Sequence, residues 1–130
     1  MALDEDDLAD LLGPALEPLL RLPARMHGAG GDEHYRLLSC CARRYSPAVS
    51  EHDQPWTSFH FDAAAMTVNV ALSPKGSHEG GELLAVFGNG VRHVARDEGE
   101  ATAHSSSLLH GVSRITRGVR YSLIMFFGHA

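Results

Sequence analysis

The sequence predicts a mainly β protein, a jelly roll or double-stranded β-helix, with an N-terminal helical segment packed on its major sheet. Two observations predict it. From Tyr35 onward the chain divides into about eight short β-like runs separated by Gly-rich or charged turns, the texture of a sandwich or closed barrel. Ahead of them Leu8, Leu11, Leu12, Ala15, Leu16, Leu19 and Leu20 recur at helical spacing, so one amphipathic stripe is available to cover a sheet face.

Taken in order, the helical support spans 1–30 and has its apolar stripe between Leu3 and Leu22. Asp4, Glu5, Asp6 and Asp7 open it, where the positive end of a helix dipole welcomes acid groups. Gly13-Pro14 interrupts the stripe and predicts a kink or two short helices, with Pro14 and Pro18 each near a first turn. "PARMHGAGGDE" reads as a loop. The jelly-roll core is expected over 35–128. Its strands are "YRLLSCCARRY", "WTSFHF", "AMTVNVALS", "ELLAVFG", "VRHVA", "EATAHS", "LLHGVSRI" and "VRYSLIMFFG". "SPAVSEHDQP" and "PKGSHEGG" are the connections of note. Gly80-Gly81 reads as a backbone requirement ahead of a strand. No repeat or linker divides the chain, so residues 1–130 read as one domain.

Bulk properties narrow the partners. The chain has 130 residues, 44% hydrophobic and 21% charged, with a net charge of -5; that is an ordinary globular composition. No basic stretch stands out, which argues against a nucleic-acid partner. No apolar run reaches the roughly 20 residues needed to span a bilayer, and the chain does not open like a signal peptide. Cys40 and Cys41 are adjacent; neighbours bridge only with strain, so two reduced thiols and a cytoplasmic location are expected.

Nine histidines are many for this length, and the first task is to find those with a reason to converge. His60-x-Asp62 lies on an expected strand, where residues two apart leave the same face. Alone the pair is unremarkable. His110, on a later expected strand, supplies a third donor, because early and late strands of a jelly roll lie side by side. Two imidazoles and one carboxylate on one face leave open positions suited to non-haem Fe(II); a catalytic zinc takes the same set. Arg120 follows ten residues after His110 in "GVRYSLIMFF". A guanidinium inside so apolar a strand needs an anion, and a dicarboxylic acid bound to the metal by one end would offer its other carboxylate. Ser122 faces the same way. In "TVNVAL", Thr67, Asn69 and Ala71 share one strand face and Val68, Val70 and Leu72 the other.

The order "HFD…TVNVAL…EGGEL…EATAH…LLHGVSRITRGVRYSLIMFF", with "RRYSP" ahead of it, resembles the Fe(II)- and 2-oxoglutarate-dependent oxygenases of the prolyl and lysyl hydroxylase branch. The resemblance covers about residues 35–128. It implies that His60, Asp62 and His110 are the catalytic iron ligands and that Arg120 binds the distal carboxylate of 2-oxoglutarate. Tyr45 and Asn69 match positions of further cosubstrate contacts, with Ser122 a weaker candidate for the same carboxylate. It implies Fe(II), 2-oxoglutarate and O2, with ascorbate as reductant. The reaction would be hydroxylation of a peptide or protein side chain, or of an amino-acid-like substrate, with succinate and CO2 as coproducts. The carboxylate of Asp62 favours hydroxylation over halogenation, since halogenating relatives lack it.

Two other readings stand beside this one. The same residues could hold a metal or a small acid in a jelly-roll binding module without turnover, or activate water as a zinc hydrolase, against which Arg120 argues. His104, six residues before His110, is expected near the pocket but not as a ligand. His52 and Asp53 are expected in a solvated loop; His78, His93 and His129 are expected at the surface. The chain is short for this branch. Its substrate-binding apparatus is therefore minimal, supplied by a partner, or carried on a longer protein.

Overall fold

The computed structural model describes residues 1–26, 34–48, 50–51 and 53–130. His52 and most of the expected loop after Pro23 therefore lie outside the described residues. Strand β1 (Ala2–Leu3) leads into helix α1 (Glu5–Leu12), a 3-10 turn (Gly13–Ala15) and helix α2 (Leu16–Arg25). The strands that follow are β2 (Tyr35–Tyr45), β3 (Thr57–His60), β4 (Met66–Ala71), β5 (His78–Glu79), β6 (Leu83–Phe87) and β7 (Gly90–His93). The last are β8 (Ala101–Ser105), β9 (His110–Val112), β10 (Arg117–Gly118) and β11 (Arg120–His129).

Local chemistry explains the helical arm. Asp4 caps α1 reciprocally: its Oδ1 accepts from the Asp7 N–H at 2.8 Å and its own N–H donates to Asp7 Oδ2 at 3.1 Å, which satisfies two donors that a helix start leaves bare. The Gly13-Pro14 break falls where expected, as a 3-10 turn between two helices. One boundary differs. The loop expected from Pro23 begins later, because α2 runs on to Arg25. Proline removes one rung of the ladder, but the Met26 N–H donates to Leu22 O at 3.2 Å and the last turn closes.

The strands build two antiparallel sheets. The larger has the order β1-β2-β11-β4-β8 and the smaller β3-β9-β6-β7, with β5 and β10 as a separate pair. This is the double-stranded β-helix that the short strands predicted. The larger sheet carries the core on its outer face. Met66, Val68 and Val70 from β4, Leu123, Met125 and Phe127 from β11, and Cys40 from β2 are buried there with Leu8 of α1. Leu12, Leu16, Leu19 and Leu20 pack against them, so the helical stripe covers that face. The alternate residues Thr67 and Asn69 point to the other side and line a cavity between the sheets.

Gly80 and Gly81 bear out the backbone requirement. Both take positive φ, 72° and 65°, and a Cβ on Gly80 would stand 2.1 Å from the Arg114 carbonyl oxygen. Among the described residues no helix is long and apolar enough to cross a membrane.

Two outcomes follow from this packing. Met125 is fully buried, so Met125→Ala should cost about 2–5 kcal/mol of folding free energy in denaturant titration. Cys40 is buried and Cys41 is not; burial, and then the neighbouring Cys41, push the Cys40 thiol up to about 11. At pH 8 iodoacetamide should therefore label Cys41 in native protein and spare Cys40, as read by peptide mass spectrometry.

Candidate metal and acid site

Strands β3 and β9 of the smaller sheet bring the candidate donors together, and β4 and β8 of the larger sheet hold one of them. His60 ends β3 and stands directly opposite His110 of β9; their rings lie 4.4 Å apart. Gly111 makes this close pairing possible, since a Cβ there would sit 2.9 Å from the Thr57 carbonyl oxygen. Asp62 lies just past β3. One of its oxygens reaches the larger sheet: Oδ2 accepts from Thr67 Oγ1 at 2.7 Å and from His104 Nε2 at 2.9 Å. Thr67 on β4 and His104 on β8 are themselves cross-strand partners. The other oxygen, Oδ1, faces His60 Nε2 at 3.2 Å and His110 Nε2 at 3.4 Å.

The histidine tautomers follow from their outer nitrogens. His60 Nδ1 lies 2.7 Å from the Ser58 carbonyl oxygen and His110 Nδ1 lies 3.0 Å from that of Leu108. A carbonyl only accepts, so both Nδ1 atoms carry hydrogen and both Nε2 atoms of the neutral rings present lone pairs. Two lone pairs then face a carboxylate oxygen across little more than 3 Å. That arrangement requires a cation between them, a proton or a metal. His60, Asp62 and His110 offer one donor atom each, all within 4.8 Å of one another, and this donor set fits a divalent metal with positions left open. Hydrogen-bonding of the outer nitrogens to carbonyls is how metal-binding imidazoles are usually oriented.

The electrostatics agree. Burial alone would raise the Asp62 carboxyl pKa, but hydrogen bonds from His104, from His110 once its ring carries a second proton, and from Thr67 outweigh it and hold the group well below the usual carboxylate range. His110 shows the complementary balance: burial lowers its pKa, while hydrogen bonds to Asp62 and the Leu108 carbonyl raise it above the ordinary histidine value.

A second cluster lies along the same inner faces. Arg120 is buried, its guanidinium sits over the Tyr45 ring at 5.5 Å, and its Nη1 has no hydrogen-bond partner. Ser122, two residues on, is buried with an unpartnered Oγ. These unpartnered donors fit the distal carboxylate of a bound acid. Tyr45 lines the metal cavity, but its hydroxyl is shared with Thr57 Oγ1 at 3.0 Å. Asn69 lines the same cavity, and its Oδ1 is taken at 2.6 Å by Arg96.

Sequence reasoning singled out neither Thr67 as a hydrogen-bond donor to Asp62 nor Arg96 at all. The strand face shared by Thr67 and Asn69 was a signal for the first; Arg96, in "VARDEGE", resembles any charged turn. His104 is outside the three-donor group, as expected, yet it holds the carboxylate of that group. Of the histidines expected at the surface, His93 and His129 are exposed, while His78 is half-buried with Nδ1 3.0 Å from the Gly80 carbonyl oxygen. Asp53 is engaged by Ser46 Oγ at 2.9 Å and by the Ser50 N–H at 2.9 Å.

Comparison with known proteins bears on this arrangement. No family model matches the chain. A PKHD-type hydroxylase of Alteromonas mediterranea is 33% identical over an alignment of 102 residues, taking in 68% of this chain and 42% of the relative. The chain thus spans less than half the length of that relative. Among solved structures, a 2OG-Fe(II) oxygenase family oxidoreductase from Burkholderia pseudomallei superposes with a TM-score of 0.71 at 22% identity, covering 95% of this chain and 57% of its own. A Pseudomonas putida prolyl-4-hydroxylase superposes with a TM-score of 0.67 at 21% identity, covering 100% of this chain and 72% of its own. In fold the chain resembles 2OG-Fe(II) oxygenases, a prolyl-4-hydroxylase among them, and in sequence it resembles a PKHD-type hydroxylase.

Two measurements probe the site. His104→Ala should weaken Mn(II) binding by about 10–100-fold in calorimetry, the usual cost of losing a partner that orients a metal ligand, and His104→Gln should recover part of it. Metal binding should also depend on pH. Because His110 holds its proton above the ordinary histidine value, Mn(II) affinity should fall as pH is lowered through that range, with protons released on binding.

Proposed function

We propose that the chain carries an Fe(II)- and 2-oxoglutarate-dependent hydroxylase. In this reading residues 1–130 form a single oxygenase domain, with 1–30 as helical support and 35–128 as the jelly-roll core. His60, Asp62 and His110 hold the iron. Arg120 pairs with the distal carboxylate of 2-oxoglutarate, and Ser122 lies beside it with a free hydroxyl. Tyr45 and Asn69 form walls of the cosubstrate cavity. The observation that carries the reading is the conjunction of two lone-pair-bearing imidazoles facing one carboxylate oxygen with a buried guanidinium lacking a partner.

With iron bound, the cosubstrate and O2 would be converted to succinate and CO2 while a substrate carbon is hydroxylated. The chain's own residues supply the setting. Asp62 offsets part of the metal's charge and is held in one orientation by His104 and Thr67. Arg120 fixes the direction of the cosubstrate through a fork that matches a carboxylate. The sheets on either side wall the cavity.

Substrate approach is supported on one side. An open groove lined by Leu38, Phe61, Ala63 and Ala64 shares Arg43, His60, Asp62 and Phe126 with the metal cavity. Phe61 is 60% and Leu38 53% exposed, so the groove offers an apolar floor beside the metal. A peptide or protein side chain, or an amino-acid-like substrate, would reach the site this way.

Purified protein with Fe(II), ascorbate and 2-oxoglutarate should form succinate slowly even without substrate. Asp62→Ala should reduce it to background. Folded, iron-replete protein that neither binds 2-oxoglutarate nor yields succinate with any of a broad peptide and amino-acid panel would overturn the reading. Binding of 2-oxoglutarate without turnover across that panel would instead favour a non-catalytic binding module.

A further inference from the structure

Arg96 is the feature that the proposed chemistry leaves unused. It is 9% exposed, and Arg120 is 5% exposed. Both line one small polar cavity, together with Ser73, Lys75, His78 and Glu82; it is separate from the cavity at the histidines and adjoins it at Leu83, which lines both. Two buried guanidiniums in one cavity repel each other and each loses much of its hydration. Such a pair persists when anions offset it. Among the described residues no carboxylate lies within ion-pairing distance of either arginine; Glu82 acts on both, and Glu100 on Arg96, only through their more distant fields. The other cation of the cavity is already engaged, since Lys75 Nζ pairs with Asp97 Oδ1 at 2.8 Å.

The donors left over are concentrated. Arg96 spends only Nη1 on the protein, donating to Asn69 O at 3.0 Å and to Asn69 Oδ1 at 2.6 Å. Its Nε and Nη2 make no hydrogen bond among the described residues and, unlike Arg120 Nη1, are not fully enclosed. Arg120 Nη1 and Ser122 Oγ are buried and unpartnered. Asn69 on β4 and Ser122 on β11 belong to adjacent strands, with Ser122 opposite Ala71 and Ile124 opposite Asn69. Burial, followed by the field of Arg120, lowers the Arg96 pKa to about 10 against the opposing fields of Glu82 and Glu100.

We propose that Arg96 is a second anchor for the cosubstrate: Arg96 and Arg120 hold its distal carboxylate between two guanidiniums, and Arg96 ties Asn69 into the same unit. This rests on the reading of the site as a 2-oxoglutarate pocket and adds a binding residue to it. The consequence is selectivity. An acid with a distal carboxylate completes the buried charge pattern, whereas a shorter keto acid such as pyruvate leaves both arginines uncompensated.

Calorimetry on Mn(II)-loaded protein tests this without turnover, using 2-oxoglutarate and pyruvate as probes. Arg96→Gln, which removes the charge but keeps an amide able to bond Asn69, should weaken 2-oxoglutarate at least tenfold and leave pyruvate unchanged. Arg120→Gln should act in the same sense. Arg96→Lys, which keeps the charge without the fork, should fall between wild type and Arg96→Gln, and this variant carries the comparison should Arg96→Gln fail to fold by circular dichroism. Unchanged 2-oxoglutarate affinity in both Arg96 variants, with loss in Arg120→Gln, would overturn the proposal and leave Arg120 as sole anchor, with the hydroxylase reading intact. Equal weakening of both acids would also overturn it, by reducing Arg96 to a brace for Asn69. Wild-type protein that binds the metal but no 2-oxoglutarate would remove the hydroxylase reading and this proposal with it.

Discussion

The carboxylate of Asp62 is the constraint on which the rest of the site depends. Its two oxygens do different things. Oδ2 is fastened to the larger sheet through Thr67 and His104, and Oδ1 is left facing the imidazoles of the smaller sheet. A single side chain therefore bridges the two sheets at the cavity. The cost of burying it is offset by the two donors at Oδ2 and by the cation that Oδ1 shares with the imidazoles, and together they leave it ionised. A carboxylate so held cannot turn to bond water or a neighbouring backbone group. It stays where a cation would complete the cluster.

The alternation of β4 explains how a chain this short builds both a core and a polar cavity. Val68 and Val70 face the helices, while Thr67 and Asn69 face the cavity. β11 repeats the division: Leu123, Met125 and Phe127 go to the core, and Arg120, Ser122, Ile124 and Phe126 go inward or to the groove. Each strand thus contributes one face to stability and one to chemistry. The helices α1 and α2 serve the apolar face, so the polar face can hold groups that would otherwise weaken the fold. Buried arginines and unpartnered hydroxyls are tolerated there because the helix-covered side supplies the stabilising burial.

Much of the architecture was legible in the residues because it rests on local rules. The leucine stripe, the Gly13-Pro14 break, the acidic cap of α1 and the short strands between turns all express period and turn chemistry. The boundary at Pro23 was misjudged because a buried proline in a last turn can be bypassed by the next hydrogen bond. The convergence of His60, Asp62 and His110 was legible through family likeness; strand alternation did not carry it, because β3 ends at His60 and Asp62 lies past it. Arg96 was not, since nothing in "VARDEGE" separates a buried cation from a solvated turn. The part played by His104 needed the register of β8 on β4.

The strand face expected to carry both His60 and Asp62 ends at His60; from residues alone came the mainly β class, the helical cover and the chemical identity of the donors. These depend on side-chain type and on periods of two or three to four residues, which the chain carries in its own order. Tertiary structure alone decided that Asp62 splits its oxygens between two sheets, that both histidines present Nε2, and that Arg96 meets Arg120 in one cavity. Each of these arises between strands far apart in the chain. Their relative register is set by the closing of the sheets and by the burial of the helix-covered core, and no local spacing encodes it.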